Sequence, residues 1–456
     1  MRVSIKRIET DVVSGKYWEE SDSTFREYDG QEKNLINVYD QVEYQEVIGF
    51  GGAFTQASSL NYFSLPADQR ADLIDKYFDT EKGLGYNLCR GTINSCDFSD
   101  DFYSYDDVDG DMTLSHFSIA PDKATVIPMM KDAMMRSANL RIFSSPWSPP
   151  AWMKTNGKMD KGGSLREDCR DVWARYVAKY IRAYEDEGIH IWGVTVQNEP
   201  KAEQGWESCV YTAAMERDFV TGYLRPALYH EGVGDRKIFF WDHNKENLVD
   251  RALETLCNAG ARDAFDGAAV HWYSGDHFGA LSVFRDLYPE KILLSSEQCK
   301  GKTPGIPYDS GERYAHDMIG NLNHGANAWV DWNMLLDQDG GPDHWKDEQL
   351  ATGWDPEKVW VGESPVMLDK STGEFSFASS YYYIGHFSRY IPRGSRRIGC
   401  SCFSSKLEVA AFSTPTDRKV LVVMNATDKE ESVTIRFDGG LADYSVKAHT
   451  ISSYIF

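Results

Sequence analysis

"DVWARYVAKYIRAYEDEGIHIWGVTVQNEP", residues 171–200, contains one helix, one strand and one chemical question. Val172, Tyr176, Ala183 and Tyr184 repeat at helical spacing over 171–188, and Gly188 is placed to close that helix with a left-handed turn. The apolar run over 190–197 then reads as a strand, with Val194, Thr195 and Val196 giving it β character. It runs into Asn198 and Glu199 and stops at Pro200. A carboxylate at the end of an apolar strand needs solvent, a partner or a function.

The same unit recurs on both sides. Strands are predicted at 47–54, 85–92, 140–145 and 190–197, then at 237–242, 267–272, 291–297 and 327–332, with helix-like segments between them. Eight apolar strands alternating with helices predict an α/β fold, a (β/α)8 TIM barrel over 46–385. After about residue 385 the pattern changes. "LEVAAFST", "KVLVVMNA", "ESVTIRFDG" and "SVKAHTISSYIF" carry strand and turn signals only, so 386–456 reads as a small all-β domain. Residues 1–45 also read as strands. A lone hairpin is marginal in water, so they are expected to join the same sheets, giving a β-sandwich built from the N-terminal and C-terminal segments.

Composition narrows the function. The 456 residues carry 48 basic and 70 acidic side chains, a net charge of −22 that repels nucleic-acid backbones and anionic lipid surfaces. No apolar run is long enough to span a membrane, and the N-terminal stretch has no apolar signal core, so a cytoplasmic location is expected without integral membrane association. The eight cysteines are scattered with no CxxC pair, which predicts reduced thiols. Aromatic residues make up 13% of the chain, a supply of flat faces for sugars or for the core. Gly-Lys-Thr at 301–303 lacks the first glycine of a phosphate loop, and "GFGGAF" lacks the rest of a dinucleotide motif; its glycines suit close packing instead.

Active sites of such barrels gather at the C-terminal strand ends. Those ends hold Arg90 with Asp97 beyond it, Trp147, Asn198 and Glu199, Asp242 and His243, His271 to Tyr273, Glu297, and Asp331 to Asn333. No metal site is expected, because His271 and His277 have no evident third ligand. Glu199 and Glu297 end the fourth and seventh strands. Two glutamates across one barrel mouth suit acid–base work on a glycosidic bond, one giving a proton and the other staying ionised.

"GFGGAFTQASSLN", "CDFS", "SPWSPPAWMKTNG", "VTVQNEP", "AVHWY", "SSEQ", "WVDWNM" and "GHFSRYIPRGSRRIG", in this order, resemble glycoside hydrolase family 30 and its glucosylceramidase-like branch. The resemblance implies a retaining β-glycosidase acting on β-linked glucosides or oligosaccharides, without a cofactor. It implies Glu199 as acid/base and Glu297 as nucleophile. Asp97, Trp147, Asn198, Tyr273, Trp332 and Asn333 would bind the sugar, with Arg90 and His271 supporting the nucleophile. Burial near Glu297 is expected to raise the Glu199 pKa. A β-1,6-glucanase, a β-xylosidase and a catalytically silent sugar-binding protein stay open as alternatives. The polar loop "KAEQGWESCVY" makes a lipid aglycone a weaker expectation, and Cys299 reads as packing.

Overall fold

The computed structural model describes residues 4–30, 33–355 and 359–456. Eight parallel strands close into a barrel: Gly49–Phe54, Leu88–Ile93, Arg141–Pro146, Ile191–Thr195, Lys237–Asn244, Gly267–His271, Ile292–Glu297 and Ala328–Asn333. Each pairs with its neighbours in chain order, and the eighth pairs with the first. Every predicted barrel strand is present. Leu88, Phe143, Phe239, Leu294 and Val330 fill the interior. Helices cover the outside, so the strands are apolar on both faces and show no alternation. Gly51 shows why "GFGGAF" is glycine-rich: a Cβ there would lie 1.8 Å from the Leu88 carbonyl oxygen.

The helix Arg170–Asp186 buries Val172, Tyr176 and Tyr184 against the barrel. Each such side chain contributes roughly 1.5–3 kcal/mol through burial. Past its end Gly188 has φ 81°, and Ile189 N–H returns to the Tyr184 carbonyl at 2.9 Å. This is the left-handed stop the sequence predicts.

Ten strands from the two chain ends form the sandwich in one hydrogen-bonded order. The strand Leu35–Glu46 is its hinge. It pairs with Arg396–Cys402 on one side and Glu431–Phe437 on the other, and its register jumps between Ile398↔Glu43 and Gly399↔Tyr39. Such an irregularity bends a sheet, here over a core that includes Ile5, Ile36, Ile398, Leu421 and Ile435. The helix Ser379–Ser388 carries the chain from barrel to sandwich. All eight cysteines are free thiols. Among the described residues no helix is long and apolar enough to cross a membrane.

Histidines staple the two units together. His316, on the barrel helix Asp309–Asn323, bonds Glu408 of the sandwich at 2.8 Å and Asp276 at 3.0 Å. The Glu408 hydrogen bond, against the opposing effect of burial, raises its pKa to about 9. A folded pKa above the unfolded value of about 6.5 stabilises fully below that value and is lost as pH rises through 9. His316→Gln should therefore lower the melting temperature more at about pH 6 than at about pH 10. Equal losses at both would remove these ion pairs from the account.

Candidate active site

The mouth of the barrel is built by strand ends that hydrogen bond to one another. Asn198 N–H reaches the Pro146 carbonyl at 2.8 Å, and Glu199 N–H reaches that of Asp242 at 3.0 Å. Glu199 takes φ 45°, a left-handed conformation uncommon outside glycine. The fifth and seventh strands bulge beside it. Ala269 pairs with Trp241 but Val270 with His243, which leaves Asp242 unpaired. Val270 pairs with Ser295 but His271 with Glu297, which leaves Ser296 unpaired. Bulges re-aim side chains, and these two meet: Ser296 Oγ donates to Asp242 Oδ1 at 2.7 Å.

Arg90, fully buried, organises the floor. Its guanidinium donates to Asp242 Oδ2 at 2.7 Å, Glu297 Oε2 at 2.5 Å and Asn198 Oδ1 at 2.9 Å. It also lies 4.7 Å from the Trp147 ring centre and 5.3 Å from that of Trp332, where cation–π attraction adds to the ion pairs. Tyr273 Oη donates to the other Glu297 oxygen at 2.8 Å. Both oxygens of Glu297 therefore have a donor, which holds the carboxylate in one orientation.

His271 lies between the acids. Its Nε2 is 3.0 Å from Asp242 Oδ1, and its Nδ1 is 3.1 Å from Glu199 Oε1 and 3.8 Å from Glu297 Oε1. Burial alone would lower its pKa. The Glu297 charge and the bonds to Asp242 and Glu199 outweigh that and bring it to about 9. Burial presses Glu199 upward, but the His271 hydrogen bond and charge, with His243 and Gln204, hold it below the usual carboxylate value. The expected rise at Glu199 is thus reversed in the free protein, because a cation sits against it. The ring also hydrogen bonds Glu199, whereas the sequence reading assigned it to Glu297. Asp242, left without a role by the sequence, holds both His271 and Arg90.

Above this floor is a cavity of about 430 Å³. Asp97, Trp147, Asn198, Glu199, Tyr273, Glu297 and Trp332 all line it. Trp147 and Trp332 stack at 4.8 Å and 19° as one apolar wall. Arg90 and His271 lie beneath the lining. Asn333, expected in the wall, stands behind it and accepts from Thr55 Oγ1 at 2.7 Å. Gln204, Trp206, Asp343, Trp345 and Trp360 line the cavity without having been anticipated. They come from the segments after the fourth and eighth strands, loops and a short helix whose sequence has no period to place them. Cys299 is in the lining too; burial first, then nearby carboxylates, push its thiol well above the usual value. Glu199, His271 and Glu297 each offer an atom within 4.8 Å of the others, a spacing a metal ion could use. The Arg90 guanidinium and the His271 ring already supply positive charge there.

Two carboxylates held this close at the mouth of a parallel barrel, beside stacked indoles, are equipment for breaking glycosidic bonds, and comparison with known proteins defines the class as glycoside hydrolase. The chain belongs to glycosyl hydrolase family 30: the family's TIM-barrel domain matches residues 47–391 and its beta sandwich domain residues 394–454. It is 32% identical to the lysosomal acid glucosylceramidase of Mus musculus, over 92% of this chain and 83% of that one. It is 28% identical to an endo-1,6-beta-D-glucanase of Neurospora crassa, over 87% and 82%. The crystal structure of SrfJ from Salmonella typhimurium superposes with a TM-score of 0.94 at 32% identity, over 100% and 99% of the two chains.

Proposed function

We propose that this protein is a retaining β-glucosidase that hydrolyses β-linked glucosides through a covalent glycosyl-enzyme. The observation that carries the reading is the distance between the glutamates. One oxygen of each lies within 4.8 Å of the other. That proximity suits the carboxyl separation of about 5–5.5 Å in retaining enzymes better than the roughly 6.5–9.5 Å that leaves room for a water.

In the first step Glu297 attacks the anomeric carbon while Glu199 protonates the departing oxygen. The bond to the aglycone breaks as the bond to Glu297 forms. In the second step Glu199 takes a proton from water, whose oxygen displaces Glu297 and restores the β configuration. Glu199 must be protonated for the first step, and His271 Nδ1, at 3.1 Å, is placed to exchange a proton with it. Asp242 supports that imidazolium from its other side. Asn198, tied to Arg90, faces the cavity beside both acids and suits a hydroxyl close to the anomeric centre.

Asp97 supports glucose as the glycone. Its Oδ1 is buried and has no hydrogen-bond partner among the described residues, so a sugar hydroxyl would satisfy it. The free thiols support a reducing compartment such as the cytoplasm.

The test is hydrolysis of nitrophenyl β-glucoside and β-xyloside followed by proton NMR. The β anomer of glucose should appear first and then mutarotate. Asp97→Ala should weaken the glucoside by about 1–3 kcal/mol, roughly 5- to 150-fold in kcat/KM, and the xyloside much less. First release of α-glucose would exclude retention, and a xyloside preferred from the start would exclude the glucosidase.

A further inference from the structure

Resting on the glycosidase reading, we propose that His243 is a positioning residue for Glu199, whose carboxylate it holds through Nδ1 while the aglycone departs. His243 Nδ1 lies 3.7 Å from Glu199 Oε1. That nitrogen is buried and has no hydrogen-bond partner among the described residues, although the ring lines the cavity. A buried nitrogen left unpaired costs free energy, which is recovered in any state that pairs it. Contacts used in catalysis are often long in the free enzyme and tighten once substrate is bound. The backbone that delivers the ring is strained. Trp241 and Asp242, immediately before it, have φ 76° and 51°, left-handed values uncommon outside glycine. Buried contacts hold that strain in place. Trp241 N–H donates to Glu216 Oε1 at 3.0 Å, and Arg251 pairs with the other Glu216 oxygen at 2.8 Å. The Trp241 indole, fixed by its own N–H on the Asn244 carbonyl at 2.9 Å, packs 5.0 Å from the His243 ring.

The need for a second donor arises from the order of proton transfers. In the free protein Glu199 Oε1 is paired with His271 Nδ1 at 3.1 Å. Once that proton has passed through Glu199 to the departing oxygen, His271 Nδ1 has no hydrogen to give. Its other nitrogen stays engaged with Asp242 Oδ1 at 3.0 Å. Glu199 is then an anion that has lost the His271 hydrogen bond, and His243 Nδ1 is within reach of the same oxygen. The charged groups acting on His243 are Glu199, His271, Glu246 and Asp242, and burial holds its pKa below the usual value. A neutral imidazole keeps one N–H, and with that hydrogen on Nδ1 the ring donates to Glu199 without taking a proton from it. The bond forms as charge develops on Glu199, so it is charge-assisted and strongest toward the transition state.

The test is the leaving-group dependence of kcat/KM, which reports the first step, measured on phenyl and dinitrophenyl β-glucosides with thermal melts on the same preparations. His243→Ala should lower the value for the phenyl glucoside about 10- to 100-fold and that for the dinitrophenyl glucoside less than about threefold, since only the poor leaving group needs the proton. Asparagine sets its amide near the Nδ1 position and glutamine sets its amide near Nε2. His243→Asn should therefore recover the phenyl glucoside to within about fivefold of wild type, and His243→Gln should stay close to the alanine variant. Equal losses on both leaving groups in folded His243→Ala would overturn the proposal. So would glutamine rescuing better than asparagine, which would put the work of the ring at Nε2 and not on Glu199. Should the alanine variant not fold, the asparagine and glutamine pair decides alone. Glu199→Ala is measured beside them. Equal losses on good and poor leaving groups there would remove the acid/base role and this proposal with it. A steep dependence in Glu199→Ala beside equal losses in His243→Ala would refute the positioning role only.

Discussion

Glu297→Gln is expected to lose nearly all turnover, on the order of 10⁴- to 10⁶-fold, even on a dinitrophenyl glucoside whose leaving group needs no proton. The amide keeps the shape of the side chain but is not a nucleophile, so the first bond to the anomeric carbon does not form. The fold should persist. Arg90 keeps Asp242 and Asn198 as partners, so no cation is stranded in the core. The loss is one of the two ion pairs of Arg90, worth about 1.5–3 kcal/mol as a charged hydrogen bond, while the pair with Asp242 remains. Activity and a thermal melt on the same preparation separate the two effects. Turnover within about tenfold of wild type would take the nucleophile away from Glu297.

Glu199→Ala should behave differently for different leaving groups. Natural disaccharides, which leave poorly without a proton, should slow by roughly 10²- to 10⁴-fold. A dinitrophenyl glucoside should still form the glycosyl-enzyme, which then accumulates because no base activates water. Mass spectrometry should find it as a glucosyl adduct on Glu297. Azide needs no deprotonation and should enter the vacated space, restore turnover and give the β-glucosyl azide. An α-azide would mean direct displacement and rule out the covalent route. Equal losses on good and poor leaving groups, with no rescue, would leave Glu199 a structural residue.

How much of this was legible in the sequence depended on whether a residue's task follows from its place along the chain. The strand ends did. An apolar run that breaks into Asn198 and Glu199, or into Ser296 and Glu297, marks both the wall and the chemistry. The floor did not. Asp242 reaches Arg90 and His271 from a bulge, and one residue inserted in the pairing shifts every later position without disturbing the local pattern. The ring of His271 could have faced either glutamate, and "HWY" does not tell which. The resemblance put Asn333 in the cavity with Trp332, yet neighbours on a strand point to opposite faces. Least visible was the helix His344–Ala351 after the last strand, whose His344 meets Ser99 and Glu207, far away along the chain.

The mutual hydrogen bonding of the strand ends bears on how such an enzyme can diversify. Asn198 and Glu199 are fastened to Pro146 and Asp242 through the main chain, so the backbone that carries them is set without the loops that follow. Segments 201–211 and 338–355 can lengthen, shorten or exchange residues while the backbone of the floor stays in register. Substrate choice and chemistry are thereby inherited separately, and relatives named for a sphingolipid and for a glucan are what such an arrangement would leave behind.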